Sequence, residues 1–391
     1  MRSVLLSIAI LLTGLLVLLA LEGDGAERAA ASPADVATIA ARVEALRGLR
    51  FDTRPVPQTV TPAQARREGL EDLDRNYPEA RRAADEEVLK LLGLIEPDVD
   101  LRSISASVFG EGVAGYYDPR SKRLRIVSGT TPDALGEMIL AHELTHALED
   151  QRFGLGLDAG QTDDAALARL ALVEGTAMAV MQDYLVRHIG AEQALGGLLG
   201  AAFQSGPELP PFLQAQLLFP YLDGLGFVTR LKQRGAASWT LVDLAERERV
   251  PDSTEQILHP DKWVEVERPL PVRVDADLGP GWRRAAAGTW GEWQTRELLG
   301  QDADRAAAGW GGDRYELWQR GSCDRPPCRD RDVLVMKWRW DTGDDAREFE
   351  HALRAAPVAQ SDGVGIWGRD DTVTLVLAPS TALANRLAKT A

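Results

Sequence analysis

The stretch Ala141-His142-Glu143-Leu144-Thr145-His146-Ala147-Leu148-Glu149 decides how this chain is read. It lies inside a segment from Thr131 to Gly154 that carries the marks of one helix. Thr131 is a capping residue, Pro132 suits the first helical position, and Asp133 complements the positive helix end. Ala134, Met138, Ala141, Thr145 and Leu148 trace one stripe, and Leu135, Ile139, His142 and His146 an adjacent one. Gly154 supplies the stop, so the pattern predicts a helix from 131 to about 153. His142 and His146, four residues apart, then stand on one helix face. At a separation of about 6 Å both imidazoles reach a single metal ion.

Zinc suits that pair. It takes imidazole nitrogen at about 2.0–2.1 Å and, in a catalytic site, one further protein ligand and a water. Glu143 follows the first histidine directly, where its carboxylate reaches the water without becoming a ligand, and this is the His-Glu-x-x-His pattern of metallopeptidases. The third ligand must come from downstream. The best candidate is Glu174 in Leu172-Val173-Glu174-Gly175-Thr176-Ala177, on a helix predicted from about Asp163 to Ile189. A carboxylate among Ala, Leu, Val and Met is costly unless it is paired or metal-bound. An ion pair with Arg169 is the alternative reading of Glu174. Asp163 and Asp164 are weaker ligand candidates, because they read as the cap and first-turn acids of that helix.

His-Glu-Leu-Thr-His followed by a helix with Glu-Gly-Thr-Ala resembles the gluzincin class of zinc metallopeptidases. The resemblance implies a zincin-like fold with two histidines of one helix and a glutamate of a later helix around Zn2+. More narrowly, Gly115-Tyr116-Tyr117-Asp118-Pro119, the segment His142–Gln151 and Ser253-Thr254-Glu255-Gln256-Ile257-Leu258-His259-Pro260 together resemble a family of uncharacterised bacterial metallopeptidase-like proteins. That likeness covers roughly residues 100–265, and Gly309-Trp310-Gly311-Gly312-Asp313-Arg314 also looks like part of that family. The chain departs from the thermolysin type in a longer gap between His146 and Glu174, which implies an inserted loop near 154–163. It departs from the metzincin pattern in having Glu149 and Arg152 where that pattern has Gly and His.

The surrounding chain fits an exported α+β protein. With 391 residues it is long enough for two domains. Its net charge of −15 repels phosphate backbones, which argues against a nucleic-acid partner. Arg2 followed by the apolar run Val4 to Leu21 reads as an export signal, either a cleaved signal peptide over 1–31 or an uncleaved membrane anchor. Either places the body outside the cytoplasm. The two cysteines, Cys323 and Cys328, read as a small loop disulfide in an oxidising compartment.

Helices are predicted over 33–50, 62–77 and 78–93, then a strand over 103–109 and a strand pair over 115–127. Helical patterns resume at 212–234 and 238–249. A composition shift near Pro269, with six of the ten tryptophans between Trp290 and Trp340, marks a second domain. There, 315–320, 333–341, 364–368 and 372–377 read as strands and 290–299, 344–355 and 380–389 as helices. The expectation is a mostly helical zincin-like peptidase domain over 32–268 and a smaller α+β domain over 269–391. The expected activity is zinc-dependent hydrolysis of a peptide or protein substrate, with Glu143 as general base. His259 and Tyr117 are candidate oxyanion donors, whereas His188 and His351 read as ordinary surface residues. An edge strand near the metal would hold a peptide by strand addition. The alternative is a non-catalytic envelope protein that keeps the fold and binds a partner; Glu143 argues against it, because a structural site needs no base.

Overall fold

A computed structural model describes residues 33–111, 115–128, 134–155, 162–189, 209–300, 303–322 and 326–391. The architecture is mixed: a helical body with a small sheet, followed by a C-terminal antiparallel sheet with helices.

The helical body opens with α1 (Pro33–Arg47), strand β1 (Gln58–Val60), α2 (Pro62–Asn76), α3 (Glu79–Leu91) and α4 (Leu101–Glu111). Strands β2 (Gly115–Asp118) and β3 (Arg123–Val127) form the expected hairpin. Gly115 faces Ile126 and Asp118 faces Arg123. Prolines at 55, 57 and 62 read as a loop, yet Gln58–Val60 pairs in parallel with Arg125–Val127. The sheet order is β1-β3-β2, so among the described residues β2 is an edge.

The strand predicted over 103–109 is instead part of α4. Its Val and Phe favour strands locally, but Leu101, Ser105, Val108 and Phe109 are all buried at helical spacing. The Ser103 amide donates to Asp100 Oδ1 at 2.6 Å, a side-chain cap that starts a helix. Phe109 packs on Gly69 of α2, where an added Cβ would stand 2.7 Å from its ring. Tertiary packing has overridden a weak local preference.

Helix α5 (Ala134–Arg152) carries the His-Glu-x-x-His segment. The Thr131-Pro132-Asp133 opening lies outside the described residues. Gly154 closes the helix as expected, with φ +71° and its N–H donating to the Asp150 carbonyl at 3.0 Å. Helix α6 (Asp163–Tyr184) is capped by Thr162, whose hydroxyl accepts from the Ala165 amide, and it runs into a π-helical turn, Leu185–Ile189. Nineteen of its 22 residues are buried, so it is the central rod of the body. Helix α7 (Pro211–Arg234) packs along it, followed by α8 (Thr240–Arg247), α9 (Thr254–Leu258) and α10 (Pro260–Glu265).

The C-terminal part holds β4 (Arg283–Gly288), α11 (Gly291–Leu299), α12 (Asp304–Ala307), β5 (Trp310–Gln319), β6 (Asp332–Trp340), α13 (Gly343–Ala355), β7 (Val364–Arg369), β8 (Thr372–Leu377) and α14 (Thr381–Thr390). The antiparallel sheet is ordered β4-β5-β6-β8-β7. Strand β4, with its arginines and alanines, gave no strand signal in the sequence. Trp310, Trp338, Trp340, Phe349 and Leu375 share one apolar core with Leu73, Tyr77, Val88 and Phe109 of the helical body. The two parts also meet through buried polar groups. Arg81 donates to Asp163 Oδ2 at 3.0 Å and to the Tyr315 hydroxyl at 2.8 Å. The Asp164 amide donates to the Thr289 hydroxyl at 3.4 Å, while its Oδ1 accepts from the Thr254 amide and hydroxyl at 3.0 and 2.6 Å within the helical body. Cys328 is disulfide-bonded, while Cys323 lies outside the described residues. Among the described residues no helix is long and apolar enough to cross a membrane; the apolar run 4–21 lies outside them.

Candidate metal centre

Three rods bring the site together. Leu140, Ala141, Leu144 and Leu148 of α5 share an apolar cluster with Val173 and Val180 of α6, so the histidine face of α5 lies against the middle of α6. Helix α7 crosses α6 at Gly175 and Gly224. A Cβ on Gly175 would stand 2.2 Å from the Gly224 carbonyl carbon and oxygen, so glycine here permits backbone-to-backbone contact. Strand β2 lies beside α5, with the Cβ position of Gly115 3.8 Å from Glu143 Cγ.

The outcome is a tight triangle of ligand atoms. His142 Nε2 lies 3.2 Å from Glu174 Oε2 and 3.0 Å from His146 Nε2, and His146 Nε2 lies 3.5 Å from Glu174 Oε2. A tetrahedral ion with ligands at about 2.0–2.1 Å separates its ligands by about 3.3–3.4 Å. The three edges bracket that value, and the donor set of two imidazoles and one carboxylate suits zinc with one open position. Thus the two histidines and Glu174 converge as the sequence suggested. The alternatives do not join them: Arg169 pairs with Glu246 at 3.1 Å, Asp163 with Arg81, and Asp164 with Thr254.

The centre is dry. His142 is 3 % exposed, Glu143 1 %, and His146 and Glu174 are fully buried. Burial pushes the His142 imidazole below its ordinary value and keeps it neutral, the form that ligates a metal. Burial opposes ionisation of Glu174 as well, but the two imidazoles outweigh it and hold the carboxyl below its ordinary value. Glu143 behaves differently. Burial, then the charge of Glu174, push its carboxyl well above the usual range, with the Tyr117 amide pulling the other way. Both Glu143 oxygens are buried, and among the described residues the Tyr117 amide is the donor that faces them, outside close hydrogen-bonding geometry. A buried carboxyl without full hydrogen bonding costs about 1–3 kcal/mol or more, which makes Glu143, beside three converging side chains, a candidate functional group.

The two candidate oxyanion donors are engaged elsewhere. The Tyr117 hydroxyl donates to Asp150 Oδ2 at 2.7 Å, about 10 Å along α5 from Glu143. His259 Nε2 lies 2.8 Å from Glu292 Oε1, at the joint with the C-terminal part. Tyr221, which the sequence reading missed, lies beside His142. Its ring centroid lies 6.3 Å from that of His142. It is 2 % exposed, and its hydroxyl is held well above its ordinary pKa by burial, then by the charges of Glu174 and Glu143. The sequence signal was faint: Pro220-Tyr221 interrupts an apolar helix one turn before Gly224.

A second acidic group, Glu255, Glu267 and Asp341, also gathers three carboxylates. The Lys262 ammonium fills it, at 2.6, 2.5 and 2.7 Å, so a cation is already built in.

Residues 279–388 match the model of a domain of unknown function (DUF8575). This stretch spans β4 to α14 and excludes the metal centre. No curated protein and no solved structure matches the chain.

Proposed function

We propose that this chain is a zinc-dependent peptidase with a zincin-like helical body, working outside the cytoplasm. One observation carries the reading: three neutral-or-anionic ligand atoms converge at tetrahedral spacing beside a second buried glutamate, Glu143. His142, His146 and Glu174 would hold the ion. When bound, zinc supplies a Lewis acid that polarises a carbonyl and brings the pKa of a water towards about 7.

The rest falls to the protein. Glu143 accepts a proton from the attacking water and delivers it to the leaving amine, and its raised proton affinity suits both directions of transfer. The Tyr221 hydroxyl donates to the oxyanion that develops on the scissile carbonyl. The open edge of β2, next to Glu143, offers backbone N–H and C=O groups to an extended peptide. Because Glu143 and the ligands are closed to solvent, a substrate enters only when the wall of the site opens. Location outside the cytoplasm rests on the apolar run 4–21 with Arg2 before it.

The test is metal content of the full chain with hydrolysis of an unstructured protein on the same samples. Wild type should hold about one zinc per chain, and Glu174→Ala should hold less or none. Glu143→Gln should keep its zinc and lose about 10²–10⁴-fold in rate. A folded, zinc-supplied wild type that takes up no metal overturns the proposal.

A further inference from the structure

A ligating histidine must also place its second ring nitrogen, and here the two histidines differ. Nδ1 of both is buried without a partner. Three residues on from His142 along the same helix face stands Thr145, whose hydroxyl is committed to the Ala141 carbonyl at 2.8 Å. Three residues on from His146 stands Glu149, fully buried. One of its oxygens, Oε1, accepts from Arg47 Nε of α1 at 2.8 Å. The other, Oε2, has no partner among the described residues. One buried donor-capable atom and one buried acceptor, one turn apart on one face, each cost about 1–3 kcal/mol while unmet.

We infer that Glu149 is the positioning carboxylate of His146, accepting its Nδ1–H through Oε2 when Nε2 ligates a metal. This rests on the zinc reading of the site. A metal at Nε2 fixes the ring proton on Nδ1 and makes that nitrogen a donor; a carboxylate there orients the ring and raises its basicity. Arg47 is the anchor. It also pairs with Asp243 at 2.6 Å and stacks under the Trp239 ring, 4.4 Å from its centroid, so Glu149 is held from behind by a side chain that is itself fixed. The carboxylate that breaks the short-spaced three-histidine pattern therefore has a task of its own.

Glu149→Leu alone would strand the Arg47 charge in the interior, so the comparison is made in an Arg47→Met background. In the full chain, Arg47→Met keeps Glu149 but removes its anchor, so whatever its offset from wild type it supplies the reference affinity for zinc. Arg47→Met with Glu149→Leu should bind it 10–100-fold more weakly, and Arg47→Met with Glu149→Gln, which keeps a carbonyl acceptor, should recover most of that loss. Affinity is read by competition with a chromophoric chelator. On unmutated protein, histidine-labelled NMR of the zinc form should show a slowly exchanging His146 Nδ1–H. Equal zinc affinity with and without Glu149, or a rapidly exchanging Nδ1–H in wild type, overturns the assignment and leaves the metal reading standing. A wild-type chain that binds no zinc overturns that reading, and this inference with it.

Discussion

Gly224→Ala and Gly226→Ala should change stability in opposite directions, although they lie two residues apart inside the same helix. Replacing glycine by alanine in a helix interior ordinarily gains about 0.5–1 kcal/mol, because the unfolded chain loses freedom. At Gly226 nothing lies within 4 Å of the new methyl group, so that gain should appear. At Gly224 the new Cβ would stand 2.1 Å from the Ala171 carbonyl oxygen and 2.9 Å from its carbon. Real Cβ contacts do not fall below 3.0 Å, so α7 must withdraw by roughly 0.9 Å from a backbone that cannot yield. Overpacking of this kind costs about 1–3 kcal/mol or more. Set against the helix gain, a net loss of about 1–2 kcal/mol remains. At about 2.1 cal/mol/K of unfolding entropy per residue, that lowers the melting temperature by roughly 1–2 °C, while Gly226→Ala raises it by about 1 °C. Thermal unfolding of the metal-free full chain reads both. Because Tyr221 lies one turn before Gly224, withdrawal should also slow hydrolysis, and a displacement of about 1 Å can cost 10²-fold. Stabilisation by Gly224→Ala, equal to that at Gly226, would refute backbone contact between α6 and α7 and the placement of Tyr221 that follows from it.

Two further outcomes are expected. Tyr221→Phe should leave zinc affinity unchanged and lower kcat by about 10²–10³, the worth of one oxyanion donor; an unchanged kcat in the zinc-loaded variant would remove Tyr221 from the chemistry. Asp164, at the joint of α6 with the C-terminal part, has its carboxyl pushed up to about 7 by burial, against the opposing bonds from Thr254. The folded chain therefore keeps this proton to higher pH than the unfolded chain, whose value is about 3.9. Its contribution is fully present below the unfolded value and is lost as pH rises through about 7. Asp164→Asn cannot ionise, so its melting temperature should fall less than that of wild type between pH 5 and pH 8; parallel curves would show that Asp164 does not titrate in this window.

Much of the candidate site was legible because its parts are local. His142, Glu143 and His146 come from one helix, and helical periodicity alone puts the two imidazoles on one face. Glu174 was legible for an energetic reason: a carboxylate inside Leu-Val-x-Gly-Thr-Ala is intolerable without a partner. Strand β4, strand β1 and helix α4 were not legible. Each is decided by what lies across from it: β3 for Gln58–Val60, β5 for Arg283–Gly288, and Gly69 for Phe109. His259 and Tyr117 looked like donors because they are polar and near recognisable motifs, but Glu292 and Asp150 had prior claim on them.

The sequence by itself determined the candidates of the centre: which side chains are proposed as ligands, which as the base, and which helices carry them. Periodicity and the cost of burying charge are properties of single segments. Only the tertiary structure decided how closely the three candidate ligand atoms meet, that Tyr221 rather than His259 lies beside His142, and that one oxygen of Glu149, a turn on from His146, is left unmet among the described residues. Those outcomes depend on the glycine crossing of α6 and α7 and on Arg47 arriving from α1, and such contacts between segments distant in sequence leave no periodic trace.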